Sequence, residues 1–314
     1  MKNKFIISLL ALSFSYASIS GVAYFQYDDS FSLSRTYFTY KTDISDELSF
    51  KFQTDVGRLD DGVEDARWTG FLKKAQLDWK VDANMKISMG MIGMNMLNIQ
   101  EKTWGHRYMY KSAMDLYKFS ATADLGFAIS RKHGNLTSNF MISNGEGYKE
   151  SDADDNNKIS VQLAWGETKL NKNDGYNIGL AYSTITDDTD IETTVTGFFG
   201  GWSGKGLRIG LESNTQDIDG TENQLTSIYA TYKIKDNLSA FLRIDDIDEN
   251  TDDVAVTEEK TLVGLIWTPT KGLDVALNKS DWTKGDTMNC GAGSDETCGE
   301  TSDDNTKINF QFKF

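Results

Sequence analysis

The stretch Glu47-Leu-Ser-Phe-Lys-Phe-Gln-Thr-Asp-Val56 alternates with period two: Leu48, Phe50, Phe52 and Val56 fall on one face, Ser49, Lys51, Gln53 and Asp55 on the other. That period is the signature of a β-strand with one apolar face. It recurs at Met85/Ile87/Met89/Met91, Ile159/Val161/Leu163/Trp165, Leu207/Ile209/Leu211, Ile228/Ala230/Tyr232/Ile234 and Leu238/Ala240/Leu242/Ile244, and it ends in Ile308/Phe310/Phe312/Phe314. About 16 segments of roughly ten residues follow from the pattern, an even number of strands long enough to cross a bilayer at a tilt.

The connections sharpen this reading. Short turns at 43–46, 81–84, 132–135, 235–237 and 269–272 interleave with longer segments at 57–67, 93–118, 144–157, 184–190, 215–223, 246–259 and 284–305. With both chain ends on one side, the turns fall on that side and the long segments on the other. The fold class expected is therefore all-β, a 16-stranded antiparallel transmembrane β-barrel with short periplasmic turns and long extracellular loops. A soluble carbohydrate-binding β-sandwich, the competing all-β reading, has no reason to sort its loops by side. Aromatic residues such as Tyr37, Phe71, Trp79, Trp165, Phe199 and Trp267 gather near strand ends, as the interfacial girdles of barrels do.

Composition agrees. The 314 residues include 27 Gly, one Pro and 12% aromatics, a profile of extended structure. The net charge of −15 opposes counterion-displacing nucleic-acid binding. No apolar run is long enough for a membrane-spanning helix. Lys2 and Lys4 precede the apolar run 5–12, with small residues at Ser15, Ala17, Ser18 and Ser20, the pattern of a secretory signal. The expected division is a signal peptide over 1–20, cut after Ala17 or Ser20, and a barrel domain over 21–314. In an exported chain Cys290 and Cys298 read as a local disulfide.

Three stretches, Arg35-Thr-Tyr-Phe-Thr-Tyr-Lys41, Asp46-Glu-Leu-Ser-Phe-Lys-Phe-Gln-Thr-Asp-Val-Gly57 and Phe71-Leu-Lys-Lys-Ala-Gln-Leu-Asp-Trp-Lys-Val81, resemble the opening strands of Gram-negative porins of the phosphate-selective O/P type. Glu101-Lys-Thr-Trp-Gly-His-Arg-Tyr108 and Asn144-Gly-Glu-Gly-Tyr148 continue the likeness in order. The resemblance implies a homotrimer in the Gram-negative outer membrane, among lipid and lipopolysaccharide. It implies passage of small ions and solutes through a water-filled lumen narrowed by an inward-folded third loop. By position that loop is 94–117, and its charged residues are Glu101, Lys102, His106, Arg107, Lys111 and Asp115. The ending Phe310, Phe312, Phe314 looks like the aromatic signal read by the barrel-assembly machinery.

Alternation places Arg35, Lys51, Asp55, Lys74, Asp78, Lys86, Asp124, Arg208, Glu212, Arg243, Asp245, Asp274 and Lys307 on the inward face, seven basic against six acidic. Neither an arginine ladder nor a lysine cluster is identifiable in that set, so passive diffusion of small polar solutes is expected ahead of a dedicated phosphate site. The acidic runs are expected in extracellular loops, where Asp152, Asp154 and Asp155 form the nearest approach to a calcium loop; no other cofactor is expected. No nucleophile elbow, phosphate loop or metalloprotease helix occurs, so no enzyme is expected. The rival function on the same fold is a structural or adhesive surface barrel with an occluded lumen.

Overall fold

The computed structural model describes residues 17–57, 68–150, 155–251, 254–286 and 298–314. Residues 1–16 of the expected signal, Cys290 of the expected disulfide, and Asp152 and Asp154 of the expected calcium loop lie outside the described residues.

Sixteen strands follow one another: β1 (Ala17–Asp28), β2 (Ser30–Asp43), β3 (Leu48–Gly57), β4 (Thr69–Lys80), β5 (Met85–Gly93), β6 (Ala123–His133), β7 (Leu136–Ser143) and β8 (Lys158–Gly166). The second half comprises β9 (Gly175–Thr186), β10 (Glu192–Gly204), β11 (Leu207–Ile218), β12 (Thr221–Lys235), β13 (Leu238–Thr251), β14 (Val254–Thr270), β15 (Leu273–Asp286) and β16 (Cys298–Lys313). Each pairs antiparallel with its sequence neighbours, and β1 closes the barrel on β16. At the seam Val22 faces Lys313 and Tyr27 faces Ile308, while Gly21 and Phe314 exchange backbone hydrogen bonds of 2.9 and 3.1 Å.

The barrel is inside out relative to a soluble protein. On β11, Leu211 is 49% exposed on the outer surface while its neighbour Glu212 is 0% exposed in the interior. The same inversion leaves Ile178, Ile228, Leu265 and Leu277 bare on the outside. Such a surface is stable only against hydrocarbon. At the turn ends of β4, β8, β10, β12 and β14 stand the exposed Trp79, Trp165, Trp202, Tyr232 and Trp267, an aromatic belt at one rim. Tyr37 and Phe199, expected in the girdles, instead point inward and are buried.

Several expected long loops are strand. The segment 215–223 is a tight hairpin in which Asp219 and Gly220 both adopt left-handed backbone, as a two-residue turn matching strand twist requires. Similarly, β13 runs to Thr251 and β14 starts at Val254, so most of 246–259 is paired sheet. Acidic residues on both faces hid these strands from a test based on apolar alternation. In the short 187–191 turn, Asp187 accepts hydrogen bonds from the Thr189 hydroxyl and from the backbone of Thr189 and Ile191, which hold its carboxyl below the usual range. It is therefore committed to its own turn. The sorting of connections by side is also less strict than expected, since β1 and β2 are joined through Asp29 alone, whereas 167–174 is a longer connection on the turn side.

Because Leu211 faces outward mid-strand, Leu211→Arg is expected to destabilise the refolded barrel by about 2–4 kcal/mol. Equilibrium unfolding in lipid vesicles, with Leu211→Ala as the milder control, measures it.

Candidate functional site

The longest connection described, 94–122 between β5 and β6, carries two short helices, α1 (Asn98–Trp104) and α2 (Ala113–Leu116). Its apolar residues are buried against inward-facing barrel residues. Trp104 is fully buried, its ring 5.5 Å from that of Tyr229 on β12 and 6.1 Å from that of Phe241 on β13. A second cluster joins Met96, Leu97, Ala113, Met114 and Phe119 to Ala181, Val195, Leu225 and Ile247. These contacts place the segment against the inner face of β9 to β14.

Buried polar groups hold it there. Arg243 on β13 stacks 5.1 Å from the Trp104 ring, donates to the Lys111 carbonyl at 2.6 Å and pairs with Asp245 at 2.6 Å. On β11, Arg208 donates to the Trp104 carbonyl at 2.9 Å and to His106 Nε2 at 3.0 Å. A guanidinium can only donate, so Nε2 is the acceptor and the imidazole is neutral with its proton on Nδ1. The Thr231 hydroxyl completes the set, 2.9 Å from the same nitrogen. Arg208, Arg243 and His106 thus serve as fasteners between strand and segment.

Arg107 is among the charged residues that the segment presents to open space. Its Nη1 donates to Glu101 at 3.0 Å and to Asp115. Cavities of about 630, 350 and 770 Å³ open inside the barrel, and Arg107 borders these three. Arg35 and Lys111 border the first two, while Glu101 and Lys102 border the third.

Facing Arg107 is a cluster that alternation caught only in part. Asp55 on β3, fully buried, pairs with Arg35 on β2 at 2.7 Å and Lys73 on β4 at 3.7 Å, and accepts a hydrogen bond from the Tyr148 hydroxyl. Tyr148 comes from the connection after β7 and in turn accepts from Arg35 at 2.9 Å. The Lys73 ammonium lies 4.8 Å from the ring centres of both Tyr37 and Tyr148. Gly145 and Gly147, both at positive φ, let the chain turn sharply to deliver Tyr148. The Gly145 N–H donates to Asp124 at 2.7 Å, so Asp124 anchors this connection.

Lys73 escapes the alternation because the register shifts between Gln53 and Thr54, so that Gln53 faces Lys74 while Thr54 faces Leu72. The bulge turns Lys73 and Lys74 both inward. The 770 Å³ cavity consequently gathers Lys41, Lys51, Lys73, Lys74, Lys86, Lys102 and Arg107 against only Asp78 and Glu101. Lys86 pairs with Asp78 at 3.2 Å, whereas Lys51, Lys74 and Lys102 have no ion-pair partner within 4.0 Å among the described residues. The inward charges that nearly balance over the whole lining are thus unevenly placed, with lysines gathered at this cavity. Lys307 lies apart, paired with Asp28 at 3.1 Å near the loop-side rim. Asp155 is exposed, and among the described residues no group of three metal-ligating side chains forms.

The fold is that of the 16-stranded outer-membrane porins. The structure is similar to OmpF of Salmonella typhi solved with daunomycin (TM-score 0.66, 10% identity, covering 95% of this chain and 97% of that one). It is also similar to OmpT of Vibrio cholerae (0.64, 11%, 96% and 98%) and to the anion-selective porin of Comamonas acidovorans (0.60, 11%, 96% and 100%). No protein-family model matches the sequence, and a comparison with curated proteins matches none.

Removing Arg243 leaves Asp245 buried without its partner, so Arg243→Leu is expected to cost about 3–5 kcal/mol. Adding Asp245→Asn should recover part of that loss; urea denaturation of the single and double variants tests the coupling.

Proposed function

We propose that the chain is a passive diffusion channel of the Gram-negative outer membrane, narrowed by the 94–122 segment and favouring small anions. The observation that carries this reading is the lysine-rich 770 Å³ cavity, in which seven basic side chains face two acidic ones. Walls of one sign around an aqueous path focus the potential and raise the local concentration of counter-ions. Arg107, at the meeting of the three cavities, sets the narrowest region together with Arg35, Asp55 and Tyr148. The segment carrying it is the inward-folded constriction loop.

An anion preference is in keeping with the shared fold of the anion-selective porin of Comamonas acidovorans. It is also as far as the likeness of the opening strands to phosphate-selective porins reaches here, because the lysines do not by themselves separate phosphate from chloride. On the same reading the chain loses its signal peptide on export, is inserted by the barrel-assembly machinery through Phe310, Phe312 and Phe314, and sits as a homotrimer among lipid and lipopolysaccharide. Ser18 and Ser20 support cleavage after Ala17 rather than Ser20, since both border the 770 Å³ cavity from the first rungs of β1. No chemical step is assigned to it.

Single-channel recording of refolded protein in planar bilayers is expected to give stepwise openings, with a reversal potential across a KCl gradient of the sign for chloride preference. Replacing Lys51, Lys74 and Lys102 together by Gln should lower the chloride-to-potassium permeability ratio by about three-fold or more. Silence from a folded barrel sinks the channel reading in favour of the occluded one; a potassium preference sinks the anion reading alone. Phosphate added beside chloride shows whether selectivity extends to it. Deleting Phe314 removes the Gly21 pairing and should sharply reduce assembled protein in outer-membrane fractions.

A further inference from the structure

We propose that Tyr148 is a positioning residue for the anion preference: its hydroxyl occupies Asp55 and so keeps the Lys73 ammonium out of direct contact with that carboxylate, its charge left to the 770 Å³ cavity. The inference deepens the channel reading and rests on it for selectivity, though not for the placement of Lys73. Asp55 is fully buried, and its Oδ2 takes the carboxylate's hydrogen bonds, from Arg35 Nη1 at 2.7 Å and from the Tyr148 hydroxyl. Its Oδ1 has no hydrogen-bond partner among the described residues. A carboxylate oxygen offers about two lone-pair sites, and both on Oδ2 are taken. The Lys73 ammonium accordingly stops 3.7 Å from Oδ2, where a direct ammonium–carboxylate bond spans about 2.7–2.9 Å.

Two tyrosines hold the ammonium instead. It lies 4.8 Å from the ring centres of both Tyr37 and Tyr148, and 3.4 and 3.5 Å from their hydroxyls. Neutral rings attract a cation without cancelling its charge, whereas a contact pair with Asp55 cancels most of it. Tyr148 borders the 350 Å³ cavity and Lys73 the 770 Å³ cavity, so the cluster is a wall with this charge on its lysine-rich side. Tyr37 belongs to a strand, but Tyr148 depends on the connection that brings it. The Asn144 N–H donates to the Leu125 carbonyl at 3.1 Å and the Tyr148 N–H to the Ala123 carbonyl at 3.0 Å, which fastens 144–148 along the start of β6. A Cβ on Gly147 would lie 2.7 Å from that of Ala121, so glycine is what permits so close an approach. A loop-side connection thereby sets how much positive charge the passage shows.

Tyr148→Phe tests this, because it removes the hydroxyl and keeps the ring. A crystal structure of the variant is expected to show Lys73 Nζ within about 3 Å of Asp55 Oδ2. A separation still at 3.7 Å overturns the proposal. In planar bilayers Tyr148→Phe should lower the chloride-to-potassium permeability ratio by about two-fold, and Lys73→Gln by about as much. The double variant should match either single variant, since both act through one ammonium. Losses that multiply to about four-fold, or a Tyr148→Phe ratio equal to that of the parent chain, overturn the role in selectivity. A parent barrel that carries no current overturns the channel reading and that role with it, while the crystal structure still decides where Tyr148 holds Lys73, so the two failures are distinguishable.

Discussion

The structure depends on the rule that no backbone N–H or C=O can be left unpaired against hydrocarbon. A sheet of alternating strands meets it only by closing, and closure is made where β1 takes β16 as its second neighbour. Once the sheet is closed the outer face must be apolar and the inner face is free to be polar. Leu211 outside and Glu212 inside are two consecutive residues answering to two different solvents.

Inside, the space is divided unequally. The 94–122 segment forms a dry, aromatic and methionine-rich core against β9 to β14, fastened by Arg208 and Arg243. The wetter half lies toward β2 to β5, where lysines gather. The apolar half requires close packing. The basic half requires charges whose partners are few. Arg107 stands at the border, held by two carboxylates of its own segment while bordering the 630, 350 and 770 Å³ cavities alike.

Much of the fold is legible in the sequence because alternation is a local signal and recurs along the chain. Legibility fails where neither face needs to be apolar: the acidic strand ends around Asp217, Glu222, Asp248 and Glu258 read as loops, yet they pair as sheet. The site was harder to read. Lys51, Lys74 and Lys86 follow from parity, but Lys73 depends on a one-residue bulge and Tyr148 on a distant connection. Arg208 and Arg243 have the inward parity of lumen residues and spend it on the segment, a partner that strand periodicity does not show.

The bulge in β4 has a consequence for how such a wall can change in length. In a strand between water and lipid, residues can be gained or lost only in pairs, because a single step exchanges the two solvents for every side chain beyond it. At Lys73 that exchange has been absorbed: Leu72 still meets the outside and Gln76 the inside, with one extra residue between them. That single residue lets the wall hold two adjacent ammonium groups where a regular strand has room for one, so local charge density is decided by counting residues and not only by choosing them.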